Sequence, residues 1–247
     1  MSLTIRKSRR SFLSGTVFTI GGVALAGLVI APQLSSLASE AAVVLPDPAV
    51  DLSTSAGGMQ VAVLAGGCFW GVQAVFQHTE GVIGAVSGYA GGTKETANYG
   101  AVSAGRSRHA EAVEITFDPR KISYGKILKI FFSVAHDPTQ LDRQGPDHGP
   151  QYRSAIFTAN DEQKRVAQAY VAQLDQAKTF PRPIVTKLGA LDAFYRAEDY
   201  HQDYATRNPN NMYIVINDKP KVENLKRLFA DVYRNEPVLV AAAPKRG

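Results

Sequence analysis

The stretch Gly66-Gly67-Cys68-Phe69-Trp70-Gly71 constrains this chain more than any other. It holds the only cysteine and the only tryptophan in 247 residues. Before it, Val61-Ala62-Val63-Leu64-Ala65 is a short apolar run suited to a buried strand. After it, Phe69, Val72, Val75 and Phe76 recur at helical spacing. Cys68 is therefore expected where a strand gives way, through two glycines, to the first turn of a helix. Unpaired N–H groups and the positive dipole end at such a place favour a thiolate and lower its pKa. A lone cysteine is also commonly a small buried hydrophobe with no chemistry. Position alone leaves both readings open.

Charge narrows the class. The formal net charge is +5, but Arg6, Lys7, Arg9 and Arg10 supply +4 of it within residues 1–38, which carry no acid. The remainder has 23 basic and 22 acidic residues, which gives no support for a nucleic-acid-binding surface. One cysteine excludes an internal disulfide framework and a multi-cysteine zinc site. The five histidines (His78, His109, His136, His148 and His201) show no paired ligand spacing.

Residues 1–38 read as an export signal peptide. A basic start precedes an apolar centre from about Val17 to Ala31, and Ser36-Leu37-Ala38 offers small residues for cleavage. Arg9-Arg10-Ser11-Phe12-Leu13 is similar to a twin-arginine signal, which implies a periplasmic protein. An uncleaved leader anchored in the inner membrane is the alternative. Residues 39–57, with Pro46 and Pro48, read as a flexible linker. A folded domain is expected over 58–235 and a flexible tail over 236–247.

Within the domain, strands are expected at 61–65, 82–86, 109–117, 152–158 and 184–188, with a possible sixth at 212–216. Helices are expected after Cys68, after Ser123, from Asn160 to about Lys178, and around Pro220–Phe229. The first elements run β-α-β-β-α-β. That order predicts an α+β fold of the ferredoxin-like, split βαβ kind: a two-layer sandwich with a mixed sheet and a C-terminal extension. Along the strand at 109–117, alternate residues share a face. Glu111 thus lies with Val113, Ile115 and Phe117, and a carboxyl on an apolar face is pushed toward its protonated form. Such a group can serve as an acid near neutral pH. Glu114 falls on the opposite face.

An ordered set of motifs adds a family resemblance. Gly-Gly-Cys-Phe-Trp at 66–70, Ser-Gly-Tyr-Ala-Gly-Gly at 87–92, His-Ala-Glu at 109–111, Asp-Pro-Thr at 137–139, Gln-Tyr-Arg-Ser-Ala at 151–155 and Glu-Asp-Tyr-His-Gln at 198–202 together resemble the peptide methionine sulfoxide reductase A family. The resemblance covers roughly residues 60–210. It implies that Cys68 attacks the sulfur of methionine sulfoxide and that Glu111 protonates the sulfoxide oxygen. It places Phe69 and Trp70 in the wall that receives the methyl group, and gives Tyr89 and Tyr152 hydrogen bonds to the oxygen. It makes Asp147 the pocket aspartate, and sets His201 and Tyr204 in a C-terminal segment near the site. The implied enzyme uses no metal or organic cofactor. The implied substrate is the S epimer, free or in oxidised proteins and peptides. Apart from the resemblance, the chain is expected to be a monomer whose electron donor, for want of a second cysteine, is an external thiol, either a thioredoxin-like protein or a small thiol.

The chain departs from the family pattern in one consequential way. Gly71 stands where a resolving cysteine is common, and residues 237–247 contain none. A Cys68 sulfenic acid therefore has no intramolecular partner. A thiol peroxidase would also suit one activated thiol, though it does not call for the Phe-Trp wall; a redox-sensing or peptide-binding module, in which Cys68 oxidises without turnover, is a second alternative.

Overall fold

The computed structural model describes residues 42–52 and 57–240. The signal peptide expected at 1–38 lies outside the described residues. No helix among the described residues is long and apolar enough to cross a membrane.

In chain order the elements are β1 (Gln60–Gly66), α1 (Phe69–Gln77), β2 (Val82–Ala90), α2 (Tyr99–Ser103), β3 (Ala110–Phe117), α3 (Tyr124–Ile130), β4 (Arg143–Gln144), β5 (Asp147–His148), β6 (Ser154–Thr158), α4 (Asp161–Gln176), β7 (Lys187–Ala190), β8 (Phe194–Arg196), α5 (Tyr204–Arg207) and α6 (Lys219–Leu228). Six strands form one sheet in the order β7-β6-β1-β3-β2-β8. Its pairs are antiparallel except β6 with β7, so the sheet is mixed and the fold α+β.

The period of two in β1 and β3 divides the sheet into two faces. Leu64, Val113, Ile115 and Phe117 join Phe69, Val72, Phe76, Ile127, Phe131, Tyr170 and Leu225 in the main core, which fills the space between sheet and helices. Val63, Ala65, Ala110, Ala112 and Phe157 form a smaller cluster on the other face. Glu111 is in phase with Val113 and Ile115, so the strand carries it onto the helix side. Glu114 lies on the other face, partly buried.

The helix starts follow local chemistry. Ser123 Oγ accepts the Lys126 backbone N–H at 3.1 Å, and Asn160 Oδ1 accepts that of Gln163 at 2.9 Å. Each supplies an acceptor for a donor that has no partner within the helix.

Several expectations are corrected. Residues 42–52, expected as part of a flexible linker, are seated on the helices. Leu45 is buried in the core, Tyr170 donates to the Pro46 carbonyl at 2.9 Å, and the Gly125 N–H donates to Asp51 at 2.8 Å. The expected flexible tail begins too early, since the Val238 and Val240 N–H groups bond to the Gln77 carbonyl and to Asp203 at 3.0 Å each. Met212–Ile216 is not a strand. It enters a π-helical turn, Ile214–Asp218, that runs into α6. The strands expected at 152 and 184 begin instead at Ser154 and Lys187, and β8 has no counterpart among the expected strands.

Candidate active site

Cys68 is the N-cap of α1, with φ −53° and ψ 122° and no side-chain cap bond. The chain reaches it through Gly67 at φ +92°, a conformation open to glycine. The Gln144 side chain lies 2.5 Å from where a Cβ on Gly67 would stand, so glycine is required on both counts. Gln144 in turn is fixed by its amide, which accepts from the Asp137 N–H at 3.2 Å and donates to the Asp137 carbonyl at 3.0 Å.

The first N–H groups of α1 are shared between two reactive side chains. The Phe69 N–H donates to Glu111 Oε2 at 3.1 Å. The Trp70 N–H is directed at the Cys68 sulfur and favours the thiolate. That help is outweighed. Burial comes first, and the nearby Glu111, Asp218 and Asp147 carboxyls add to it, so the Cys68 thiol is pushed well above its ordinary pKa. The expectation of a resting thiolate at the helix start is thereby corrected: the sulfur rests as a thiol. Glu111 behaves as its strand position predicts. Burial pushes its carboxyl up to about 8 against the opposing Phe69 N–H, with Asp147 and Asp218 adding to the rise. Both groups hold a proton at neutral pH.

The aromatic residues assemble around this pair. Phe69 is fully buried beneath the site and packs on Tyr89 at 5.9 Å and His201 at 5.0 Å between ring centroids. Trp70 is the more accessible of the two. It stacks on Tyr204 at 3.8 Å and 10°, and its indole N–H donates to His201 Nδ1 at 3.2 Å. With Nδ1 accepting, a neutral His201 carries its proton on Nε2, and burial holds its pKa below the usual histidine value. Tyr89 sits directly across from Glu111 in the β2–β3 register. Its hydroxyl donates to Glu198 Oε2 at 2.8 Å, so that proton is already engaged. Tyr152, half-buried at the end of the 137–151 loop, lies within the fields of Glu111, Asp147 and Cys68; burial above all pushes its hydroxyl up.

Asp147 is carried by the β4–β5 hairpin. The Asp-Pro-Thr motif anchors the start of that loop: Asp137 Oδ1 accepts from the Thr139 N–H at 2.9 Å and its hydroxyl at 2.7 Å. The carboxyl of Asp147 accepts a hydrogen bond from the Tyr213 hydroxyl. Burial pushes it up, while that bond, Lys221 and His148 oppose the rise.

Four residues near the site were not singled out from the sequence. Glu198, inside the Glu-Asp-Tyr-His-Gln motif, ties the Tyr89 hydroxyl to the Tyr99 N–H, which it accepts at 2.9 Å. The Tyr99 ring lies 4.6 Å from that of His201. Tyr213 meets the Trp70 ring edge-on at 5.9 Å and 86°. Asp218 is buried behind Gly71. The motif could have flagged Glu198. Tyr213 falls within the expected strand at 212–216 and Asp218 in the connection after it, with no pattern to mark either. Among the described residues no group of three His, Cys, Asp or Glu side chains is placed to hold a metal ion.

Residues 60–232 match the family model described as peptide methionine sulfoxide reductase. The chain is 59% identical over 189 residues to peptide methionine sulfoxide reductase MsrA 2 of Mesorhizobium japonicum, covering 76% of this chain and 97% of that one. A Synechocystis protein of the same name is 52% identical over 208 residues, with 83% and 97% covered. Among solved structures, methionine sulfoxide reductase A of Corynebacterium diphtheriae aligns with a TM-score of 0.53 at 31% identity over 72% of this chain and 91% of its own. The reduced form of Mxr1 from Saccharomyces cerevisiae gives 0.57 at 28% identity, with 71% and 94% covered. On the family match and these identities, the chain belongs to the peptide methionine sulfoxide reductase family.

Proposed function

We propose that the chain is a thiol-dependent oxidoreductase that returns the S epimer of methionine sulfoxide, free or in oxidised proteins, to methionine. The observation that carries this reading is the start of α1, where Phe69 N–H holds a buried, protonated Glu111 and Trp70 N–H faces the Cys68 sulfur. A sulfoxide is a poor electrophile until its oxygen is protonated, so an acid beside the nucleophile is what the reaction needs.

The cycle conserves atoms and charge. The Cys68 sulfur takes the sulfoxide oxygen as Glu111 delivers a proton to it, and the thiol's own proton restores Glu111. Methionine leaves with its sulfur reduced by two electrons, and Cys68 becomes a sulfenic acid. With no second cysteine in the sequence, one external thiol condenses with the sulfenic acid, releasing water and forming a mixed disulfide. A second thiol frees Cys68. Neither a metal nor an organic cofactor takes part. Trp70, partly exposed and stacked on Tyr204, supplies the apolar wall for the methyl group, while Phe69, expected in that wall, is fully buried and backs the site. Tyr152 and Asp147 face the polar side.

The same reading extends to architecture and location. The run β6-β1-β3-β2, antiparallel throughout, supports a ferredoxin-like core of split βαβ type. The Arg9-Arg10 leader supports export to the periplasm, or retention at the inner membrane, and fractionation of cells making the full chain separates the two.

The test is turnover of a methionine sulfoxide peptide, supplied as separated S and R epimers with dithiothreitol, beside a Cys68→Ser variant. Turnover of S alone, lost in the variant, is the expected result. Turnover of R, or of neither epimer, contradicts the reading.

A further inference from the structure

An ion pair is buried behind the nucleophile's helix. Asp218 ends the π-helical turn and Lys221 lies in the first turn of α6, with Nζ 3.7 Å from Oδ1. The Asp218 side chain is fully buried and that of Lys221 only 9% exposed. The carboxylate lies against Gly71, three residues after Cys68. A Cβ there would stand 2.2 Å from Asp218 Oδ1, 2.8 Å from its Cγ and 3.2 Å from Lys221 Cδ. Gly71 is therefore more than a missing resolving cysteine. An acid fills the space that any side chain at this position would need.

A buried ion pair is a weak stabilising device, because desolvation offsets most of the attraction. Its position is more informative. The first turn of α1 presents positive partial charge toward the sulfur, and a carboxylate packed on that turn acts in the opposite sense. We propose that Asp218, held by Lys221, is a positioning residue for Cys68: the pair governs how readily the sulfur gives up its proton and so guards it from hydroperoxides. This rests on Cys68 being the nucleophile. The guarded side reaction is attack of the thiolate on a peroxide O–O bond. An S–O bond forms, the sulfur loses two electrons, and the leaving oxygen departs as hydroxide or alkoxide and takes a proton from water.

The charges around the sulfur agree in sign. Asp218 raises the Cys68 thiol and also Glu111 and Tyr213. The other titratable groups facing the sulfur are Glu111 on β3, Asp147 on the hairpin, and the Tyr99, Tyr152 and Tyr213 hydroxyls. Lys221 opposes the rise at Asp147 and favours neutral His136.

The experiment follows alkylation of Cys68 by iodoacetamide as a function of pH in the full chain, and peroxide oxidation trapped by dimedone. Asp218→Asn is expected to lower the alkylation midpoint by about one pH unit. The thiolate fraction at pH 7 then rises about tenfold, and both rates rise with it. Lys221→Arg keeps the charge and the wild-type midpoint. Should Asp218→Asn fail to fold, the neutral pair Asp218→Asn with Lys221→Met gives the same reading through a midpoint below wild type. A midpoint at or above wild type in a folded variant lacking Asp218 overturns the proposal. So does a shift in Lys221→Arg as large as that in Asp218→Asn. Sulfoxide turnover on the same samples tests Cys68 separately: a silent wild type with the midpoint shift intact would fault the nucleophile and not the pair.

Discussion

Glu111 Oε2 accepts the backbone N–H of Phe69 at 3.1 Å, which ties the acid on β3 to the residue directly after the nucleophile. Strand and helix are thereby held in one register at the point where proton and oxygen must move together. A protonated carboxyl can accept this bond through its carbonyl oxygen and still donate through its hydroxyl. The acid is thus oriented without being consumed.

Replacing Glu111 by Gln keeps shape and the bond from Phe69 but removes the transferable proton. Turnover should fall by about 10²–10⁴-fold while the near-ultraviolet circular dichroism stays native. In the wild type, activity should be lost as pH rises through about 8, where Glu111 gives up its proton. That alkaline limb should be missing from the residual activity of Glu111→Gln.

The same carboxyl makes a stability prediction of opposite sense. A buried acid with a raised pKa binds a proton in the folded chain that the unfolded chain has lost. Its contribution therefore falls as pH rises from the ordinary carboxyl value toward about 8. Thermal melts should show Glu111→Gln above the wild type at pH 8 and near it at pH 4. A variant less stable at pH 8 would show that the folded state prefers the ionised acid.

Gln202 is fully buried, with every polar position engaged. Its Oε1 accepts from Gln73 Nε2 and the Ser87 N–H at 3.0 Å each, and its Nε2 donates to the carbonyls of Ser87 at 2.9 Å and Ala197 at 3.0 Å. Gln202→Ala strands several buried groups and should cost about 2–4 kcal/mol, read by urea denaturation. Because this side chain anchors the segment carrying His201, hydrogen exchange should quicken across 197–204.

The Trp70–Tyr204 stack should act through binding and not chemistry. Such a pair is worth about 0.5–1.5 kcal/mol beyond its buried area. Tyr204→Ala should raise KM for a sulfoxide peptide by about two- to tenfold and leave kcat within about twofold. A fall in kcat with KM unchanged would place Tyr204 in the chemical step.

What the sequence revealed depended on how local each signal was. The strand–glycine–helix setting of Cys68 and the face of Glu111 follow from periods of two and 3.6 over a few residues, and both are found in the structure. The sign of the Cys68 shift was not local. The helix start favours the thiolate, but three carboxyls brought in by β3, the hairpin and the turn before α6 prevail with burial. Residues 212–216 carry Met, Ile and Ile in alternation with β-branched Val215, a strand pattern on its own. Packing of Ile214 and burial of Asp218 behind α1 override it. The prolines at 46 and 48 suggested a linker, yet an extended segment packs well when its carbonyls find donors such as Tyr170 and Gln173.

In this mechanism Cys68 itself takes the oxygen. A single-turnover measurement without added thiol tests it most directly: whole-protein mass and methionine release after mixing with excess S sulfoxide. About one methionine per chain and a gain of one oxygen mass, mapped by dimedone to Cys68, are expected. Release of methionine with Cys68 unmodified, or an oxygen adduct on another residue, would contradict it.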